Sequence, residues 1–245
     1  MKIAILSDIH GNRFALEAVL KDIKQRNVST IVNLGDCLYG PLDPAGTADI
    51  LIDLDISTVS GNEDRILLED DDVKHNSLSL TFTKNELKPK HFEWLKSLPQ
   101  IKVVSEMFCL FHGTPKNDSE YLLHKIIDGH LTLKSNEDIQ KNILPIQQPV
   151  ILCGHDHTPA AVQLNNRRII VNPGSVGCPA YYDGTEPQHF VENGAPHARY
   201  SIISQMDSEW KVENILVPYD WDTASRMATQ NGRSDWARWL KTGRT

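Results

Sequence analysis

The strongest constraint on this chain is the alternation of strand-like and helix-like stretches across its first sixty residues. Residues 2–7 form a short apolar run suited to a buried strand. Asn12 then stands as an N-cap before Leu16, Val19, Leu20 and Ile23, which fall on one helical face. Residues 30–34 read as a second buried strand, Pro44 opens a helical pattern through Ala48, Leu51 and Ile52, and residues 56–60 make a third strand. This βαβαβ order favours a parallel sheet with helices covering it.

The middle reads as helical over residues 66–87 and 91–98, punctuated by Pro89 and Pro99. Residues 101–104 and 107–111 look like strands joined by a tight Ser105-Glu106 turn. A polar, partly helical stretch, 114–149, precedes another buried strand at 150–153. Asn165-Asn166-Arg167 reads as a hairpin turn between residues 160–164 and 168–171. Late strands at 200–203 and 210–217 lead to a helical tail from about residue 220, whose Trp236, Trp239 and Leu240 are spaced to pack on the core. With no repeat or low-complexity linker, the expectation is one domain, 1–245, with two sheets and a possible cap at 114–149.

Composition excludes some classes. Of 245 residues, 25 are basic and 32 acidic, a formal charge of −7 that argues against a broad nucleic-acid or anionic-membrane surface. No apolar run approaches the roughly 20 residues of a membrane span, and the opening run is too short for a signal peptide, so a cytoplasmic protein is expected. Cys37, Cys109, Cys153 and Cys178 form no CxxC pair and are expected as free thiols.

The chemistry-bearing residues gather just after the strands, where open α/β sheets bind ligands. Five strand exits carry Ser7-Asp8-Ile9-His10, Gly35-Asp36, Gly61-Asn62-Glu63-Asp64, His112-Gly113 and Gly154-His155-Asp156-His157. Each has a bland reading taken alone: Asp8 as a helix cap, Gly35-Asp36 as a turn, His112 as a structural histidine. Together, Asp8, His10, Asp36, Asn62, His112, His155 and His157 make a mixed carboxylate, imidazole and amide donor set. That chemistry suits Mn, Fe or Zn better than the all-oxygen sites of Ca or Mg. Seven donors exceed what one such ion with an open position needs, and suit two ions about 3.5–4 Å apart.

In this order, Asp8-x-His10, Gly35-Asp36, Gly61-Asn62, His112-Gly113 and Gly154-His155-x-His157 resemble the signature of the calcineurin-like metallophosphoesterases, over residues 1 to about 177. Asn172-Pro173-Gly174-Ser175-Val176-Gly177, Tyr39-Gly40-Pro41, Tyr121-Leu122 and residues 196–200 are similar to its small prokaryotic predicted-phosphodiesterase branch. The resemblance implies an α/β fold, a four-layer αββα sandwich of two mixed β-sheets flanked by helices. It implies hydrolysis of phosphate esters by in-line attack of a metal-bridging hydroxide, with two divalent transition-metal ions (Mn, Fe, Zn or Ni). Asp8, His10 and His157 would hold one ion, Asn62, His112 and His155 the other, with Asp36 bridging. A small phosphorylated substrate, with nucleotides among the candidates, is the implied partner.

The sequence departs from the family pattern at one position. Many members carry His after Gly-Asn, where it is thought to protonate the leaving group; here stands Glu63, an alternative catalytic acid only if burial raises its pKa. Asn12 and Arg13, at the start of the first helix, are candidate substrate-phosphate contacts, and Tyr121 and His124 candidate cap contacts. Two rival readings are a dinucleoside polyphosphate hydrolase and a non-catalytic protein-binding scaffold on the same sandwich. The scaffold reading predicts degraded ligands, whereas all seven positions carry suitable donors.

Overall fold

The computed structural model describes residues 1–69, 77–207 and 209–245. The acidic positions 70–72 and His75 lie outside the described residues, as does the middle of the long helix expected over 66–87. On either side of that gap stand two separate helices.

Two five-stranded mixed sheets face each other. In the first, β1 (Lys2–Leu6) is central, with β2 (Thr30–Asn33) and the two-residue β3 (Ser57–Thr58) parallel beside it. On its other side β13 (Ala198–Met206) pairs antiparallel with both β1 and β14 (Glu209–Val217). The second sheet runs β4 (Ile101–Val104), β5 (Phe108–Phe111), β8 (Val150–Leu152), β10 (Ile169–Asn172) and β9 (Ala160–Gln163). Here β5, β8 and β10 are parallel and both edges antiparallel.

The period-2 alternation of strands explains why both sheets are buried on two faces. Ile3 and Ile5 of β1 point into the space between the sheets, meeting Phe108, Leu110, Val150 and Leu152. Ala4 and Leu6 point the other way, onto Leu16, Val19 and Ile23 of α1 (Arg13–Gln25) and Leu51 of α2 (Pro44–Leu54). Each such Leu or Ile contributes about 1.5–3 kcal/mol by leaving water. The outer face of the second sheet, Cys109, Phe111, Ile151 and Ile170, packs under Leu122, Leu123, Ile139 and Ile143. The fold is therefore the expected αββα sandwich.

The first helices begin where their residues dictate. The Asn12 side chain accepts from the Ala15 amide, and that of Asp43 accepts from Gly46, with Pro44 at the first helical position where no donor is needed. After α2 come α3 (Asn62–Leu67), α4 (Leu78–Glu86) and α5 (Pro89–Ser97).

One expectation needs correction: the sheets number three among the described residues. The segment 114–149 holds a hairpin, β6 (His124–Ile127) and β7 (His130–Leu133), followed by α6 (Asn136–Asn142). That hairpin joins β11 (Ala180–Asp183) and β12 (His189–Glu192) in a four-stranded sheet. Four-residue strands with largely exposed faces leave too little hydrophobic alternation to be read from sequence. The tail forms α7 (Trp221–Gln230) and α8 (Ser234–Thr242), packed through Ala224, Ala228, Trp236 and Leu240 against Leu42 and Ala180.

Candidate active site

The loops leaving β1, β2, β5, β8 and β10 are laced into one rigid floor by backbone hydrogen bonds. Asp8 N donates to Gly35 O (3.0 Å), His10 N to Asp36 O (3.0 Å), Gly154 N to His112 O (2.7 Å) and Gly177 N to Asp8 O (3.0 Å). Asp8, His10, Asp36, His155 and His157 all adopt left-handed backbone, with φ between 51° and 75°. Each non-glycine residue held there costs on the order of 1–3 kcal/mol, and such strain concentrates at functional sites. Neighbouring glycines make room: a Cβ on Gly61 would strike the Asp36 carboxylate, and one on Gly154 would come within 3.0 Å of Asp8 Oδ2.

The side chains converge. Asp8, His10 and His157 bring ligand atoms within 4.8 Å of one another, as do Asp36, His112 and His155. His157 Nε2 is 3.3 Å and His112 Nε2 3.8 Å from Asp8 Oδ1, and His112 Nε2 is 3.2 Å from Asp36 Oδ2, so the two clusters adjoin. Three imidazoles use Nδ1 on a backbone carbonyl: His10 on Tyr39 O (3.0 Å), His112 on Leu34 O (2.7 Å) and His157 on Cys178 O (2.8 Å). A carbonyl only accepts, so each Nδ1 carries the proton and each Nε2 is turned toward the cluster. This is how metal-binding histidines are oriented.

Buried atoms without a hydrogen-bond partner mark the same place: Asp8 Oδ1, Asn62 Oδ1 and His112 Nε2. Leaving such atoms unpaired costs about 1–3 kcal/mol each, more when charged. Two of these orphans, Asp8 Oδ1 and His112 Nε2, lie 3.8 Å apart, and Asn62 lines the same cleft, an arrangement that fits a cation. The mixed carboxylate, imidazole and amide set suits a first-row divalent ion.

Electrostatics agree with a place built for positive charge. Burial alone would depress His112, yet the Asp36 and Asp8 carboxylates push it up to about 10. His10 rises to about 9 against its burial through Glu63, Asp36 and Asp8. Burial would raise Asp8, but His157, His112 and His10 hold it below the carboxylate range. His155 goes the other way, down to about 4, through burial and then the charge of His112.

Of the remaining predicted residues, Glu63 stands at the site: its Oε2 lies 3.0 Å from His10 Nδ1, and its amide donates to Asp36 Oδ1 (2.9 Å). Burial raises its carboxyl, although His10 opposes this. Asn12 and Arg13 are placed elsewhere. Asn12 is fully buried, its oxygen capping α1 and its amide donating to Gly177 O (2.9 Å) and Tyr219 Oη (3.2 Å). Arg13 is half exposed and pairs with Glu17 (2.8 Å) and Asp43 (3.4 Å). Neither is among the described residues lining the cleft over the clusters, and the cap geometry that suggested both accounts for their positions.

That cleft has a volume of about 390 Å³. Tyr121 of the 114–149 segment lines it, its ring 4.8 Å from that of His155. His124 is tied to Asp156 (2.7 Å) and lines an adjoining cleft that also meets Asn62, Tyr121 and His155. Several lining residues carried no sequence signal: Tyr181 and Tyr182 from the third sheet, and Arg233 and Trp236 from the tail. Trp236 packs the tail on the core as its spacing predicts, and its ring also meets that of His10 edge-on, with the centroids 5.8 Å apart. The Asn172–Gly177 motif gains a purpose: Asn172 Nδ2 donates to Gly154 O and Asp156 Oδ1 (both 2.8 Å), and Ser175 Oγ to Asp8 O (2.7 Å).

Residues 1–191 match the calcineurin-like phosphoesterase superfamily domain. The chain belongs to that superfamily. It is thereby a phosphate-ester hydrolase of a metal-dependent family, and the donor clusters are the place in its fold where a metal fits. An uncharacterised protein of Methanocaldococcus jannaschii is 27% identical, over 96% of this chain and 94% of that protein. The fold is similar to a metallophosphoesterase from Sphaerobacter thermophilus, with a TM-score of 0.77 and 24% identity over 99% of this chain and 100% of that one. A crystallised candidate diadenosine tetraphosphatase is similar more loosely, with a TM-score of 0.55 and 21% identity over 89% and 94% of the two chains. No described helix is long and apolar enough to cross a membrane.

Proposed function

We propose that this calcineurin-like phosphoesterase hydrolyses small phosphate esters with two divalent transition-metal ions. Asp8, His10 and His157 would hold one, Asn62, His112 and His155 the other, and Asp36 would serve both. The observation that carries the reading is the pair of adjoining clusters, within which Asp8 Oδ1 and His112 Nε2 stand buried and unpartnered, with a third unpartnered atom, Asn62 Oδ1, on a residue lining the same cleft. Bound there, the ions supply Lewis acidity, which makes water nucleophilic near neutral pH and neutralises charge on the phosphoryl oxygens.

The chain's own residues do the rest. The carbonyls of Tyr39, Leu34 and Cys178 hold the three imidazoles in the tautomer that leaves Nε2 free. Tyr121 and Trp236 wall the cleft and restrict water above it. Glu63 is the group in reach to hold a proton, at Oε2, for a leaving oxygen. Contributions to one cleft from the 114–149 segment and from the tail support the whole of 1–245 acting as a single unit. Retention of all seven donors, with Asp8, His10, His157, Asp36, His112 and His155 gathered into the two clusters, favours hydrolase over scaffold.

Metal analysis of the purified protein, with mono- and diester panels in Mn, Ni, Fe and Zn, tests the proposal. Asp36→Ala and His112→Ala are expected to lose metal and turnover together. Full activity in either variant sinks it.

A further inference from the structure

We infer that Arg233 is a specificity residue that anchors a second phosphate, one beyond the phosphate being hydrolysed. The inference rests on the proposed hydrolase reading for where the reacting phosphate sits. Arg233 precedes α8, outside the region matching the superfamily. It is the only lysine or arginine among the described residues lining the cleft.

Its guanidinium is fixed before any ligand arrives. Nε and Nη2 donate to the two oxygens of Asp235 (2.9 and 2.7 Å), and Nη1 donates to Ser79 Oγ on α4. The carbon of the group lies 5.6 Å from the Trp236 ring and 6.0 Å from that of Trp239, within cation–π range. These bonds occupy three of five N–H groups, leaving one on each terminal nitrogen. The side chain is 18% exposed, and its open side is the cleft.

Position selects the ligand. Trp236 touches both Arg233 and the metal clusters: its ring centroid lies 5.6 Å from the guanidinium carbon and 5.8 Å from the ring centroid of His10, while the guanidinium pairs with Asp235 and with no carboxylate of the clusters. A cation that bonds none of the cluster residues and meets them through the Trp236 ring is placed for a phosphate other than the one at the clusters, yet shares its cleft. A planar, rigid, always-charged fork matches the paired oxygens of a phosphate, the anionic group that every substrate of a phosphate-ester hydrolase carries. The substrate class that spans both places carries at least two phosphates, as a nucleoside polyphosphate or another phosphoanhydride does. A purely structural role, tethering α8 to α4 through Ser79, is the competing account.

Binding and turnover of paired ligands separate the two. Calorimetric titration of the protein with ADP and with AMP is expected to give tighter binding of ADP. In Arg233→Gln that preference falls about tenfold or more, as loss of a charge-assisted contact does. Arg233→Lys, which keeps the charge and loses the fork, retains part of it. Thermal melting of each variant reports the tether separately, and if the Gln variant does not fold, the Lys variant carries the comparison. A preference unchanged within twofold in a folded variant overturns the inference, as does equal binding of ADP and AMP by the parent. Failure of the parent to hydrolyse any ester in the metal panel overturns the hydrolase reading alone, because the ADP-to-AMP preference is read without turnover.

Discussion

Gly61→Ala isolates the geometry on which the site depends. Gly61 has φ −92° and ψ 177°, which any residue adopts, so backbone strain plays no part. The added methyl would instead meet Asp36: its amide nitrogen at 2.5 Å, its Cγ at 2.8 Å, and its Oδ1 closer still. Ordinary contact needs about 3.5 Å, so the Asp36 backbone and carboxylate must retreat by roughly 0.7–1.4 Å. Overpacking of this kind costs about 1–3 kcal/mol, and the stiffer unfolded chain returns about 0.4–1, leaving a net loss of about 1–2 kcal/mol. In a chain of this size that is a fall in Tm of roughly 2–8 °C. Activity suffers more, because Asp36 serves both clusters. A misplacement near 1 Å costs about a hundredfold in rate, equivalent to about 2.7 kcal/mol. The assay is kcat/KM for bis-p-nitrophenyl phosphate in Mn, with melting curves alongside. Gly184→Ala is the control, since its methyl would see only Tyr182 Cε1 at 3.5 Å. Parental turnover and full metal content in Gly61→Ala would refute the reasoning.

Three further outcomes are expected. In the cation-free protein His10 (about 9) and His112 (about 10) are protonated at pH 7, so metal must displace those protons. Apparent affinity should rise about tenfold per pH unit for each proton released, seen by calorimetry in buffers of different ionisation enthalpy; pH-independent binding would contradict this. By the same linkage, the stability these raised groups lend the cation-free fold is complete below about pH 6.5 and lost as pH climbs through 9 to 10. Asn172→Ala removes the donor to Gly154 O and Asp156 Oδ1. It should cost about 1–3 kcal/mol in melting experiments and about tenfold or more in metal affinity, and a silent variant denies the loop its supporting role. With Glu63 holding the leaving-group proton, Glu63→Gln should slow alkyl phosphate esters about tenfold or more beyond aryl ones, whose leaving groups need no proton; equal losses would show that Glu63 is not the acid.

The sandwich and the places where its chemistry gathers were legible in the sequence, because both are local in origin. Alternation along β1 and helical spacing of Leu16, Val19 and Ile23 report burial directly, and Gly-Asp and Gly-His-x-His at strand exits report turns carrying ligands. The third sheet was not legible: its strands are four residues long and largely exposed. Nor could Asn12 and Arg13 be assigned correctly, since a helix start attracts phosphate only if its groups are free, and here they are spent on a cap and on ion pairs. What the sequence alone determined was which donor types exist and in what order they leave the sheets. Which nitrogen each imidazole offers, which oxygens are left without partners, and the arrival of Arg233 and Trp236 at the cleft were decided by tertiary structure. Those properties depend on atoms brought together from distant positions, 21 to 78 residues apart for the imidazole–carbonyl bonds, and no local pattern encodes them.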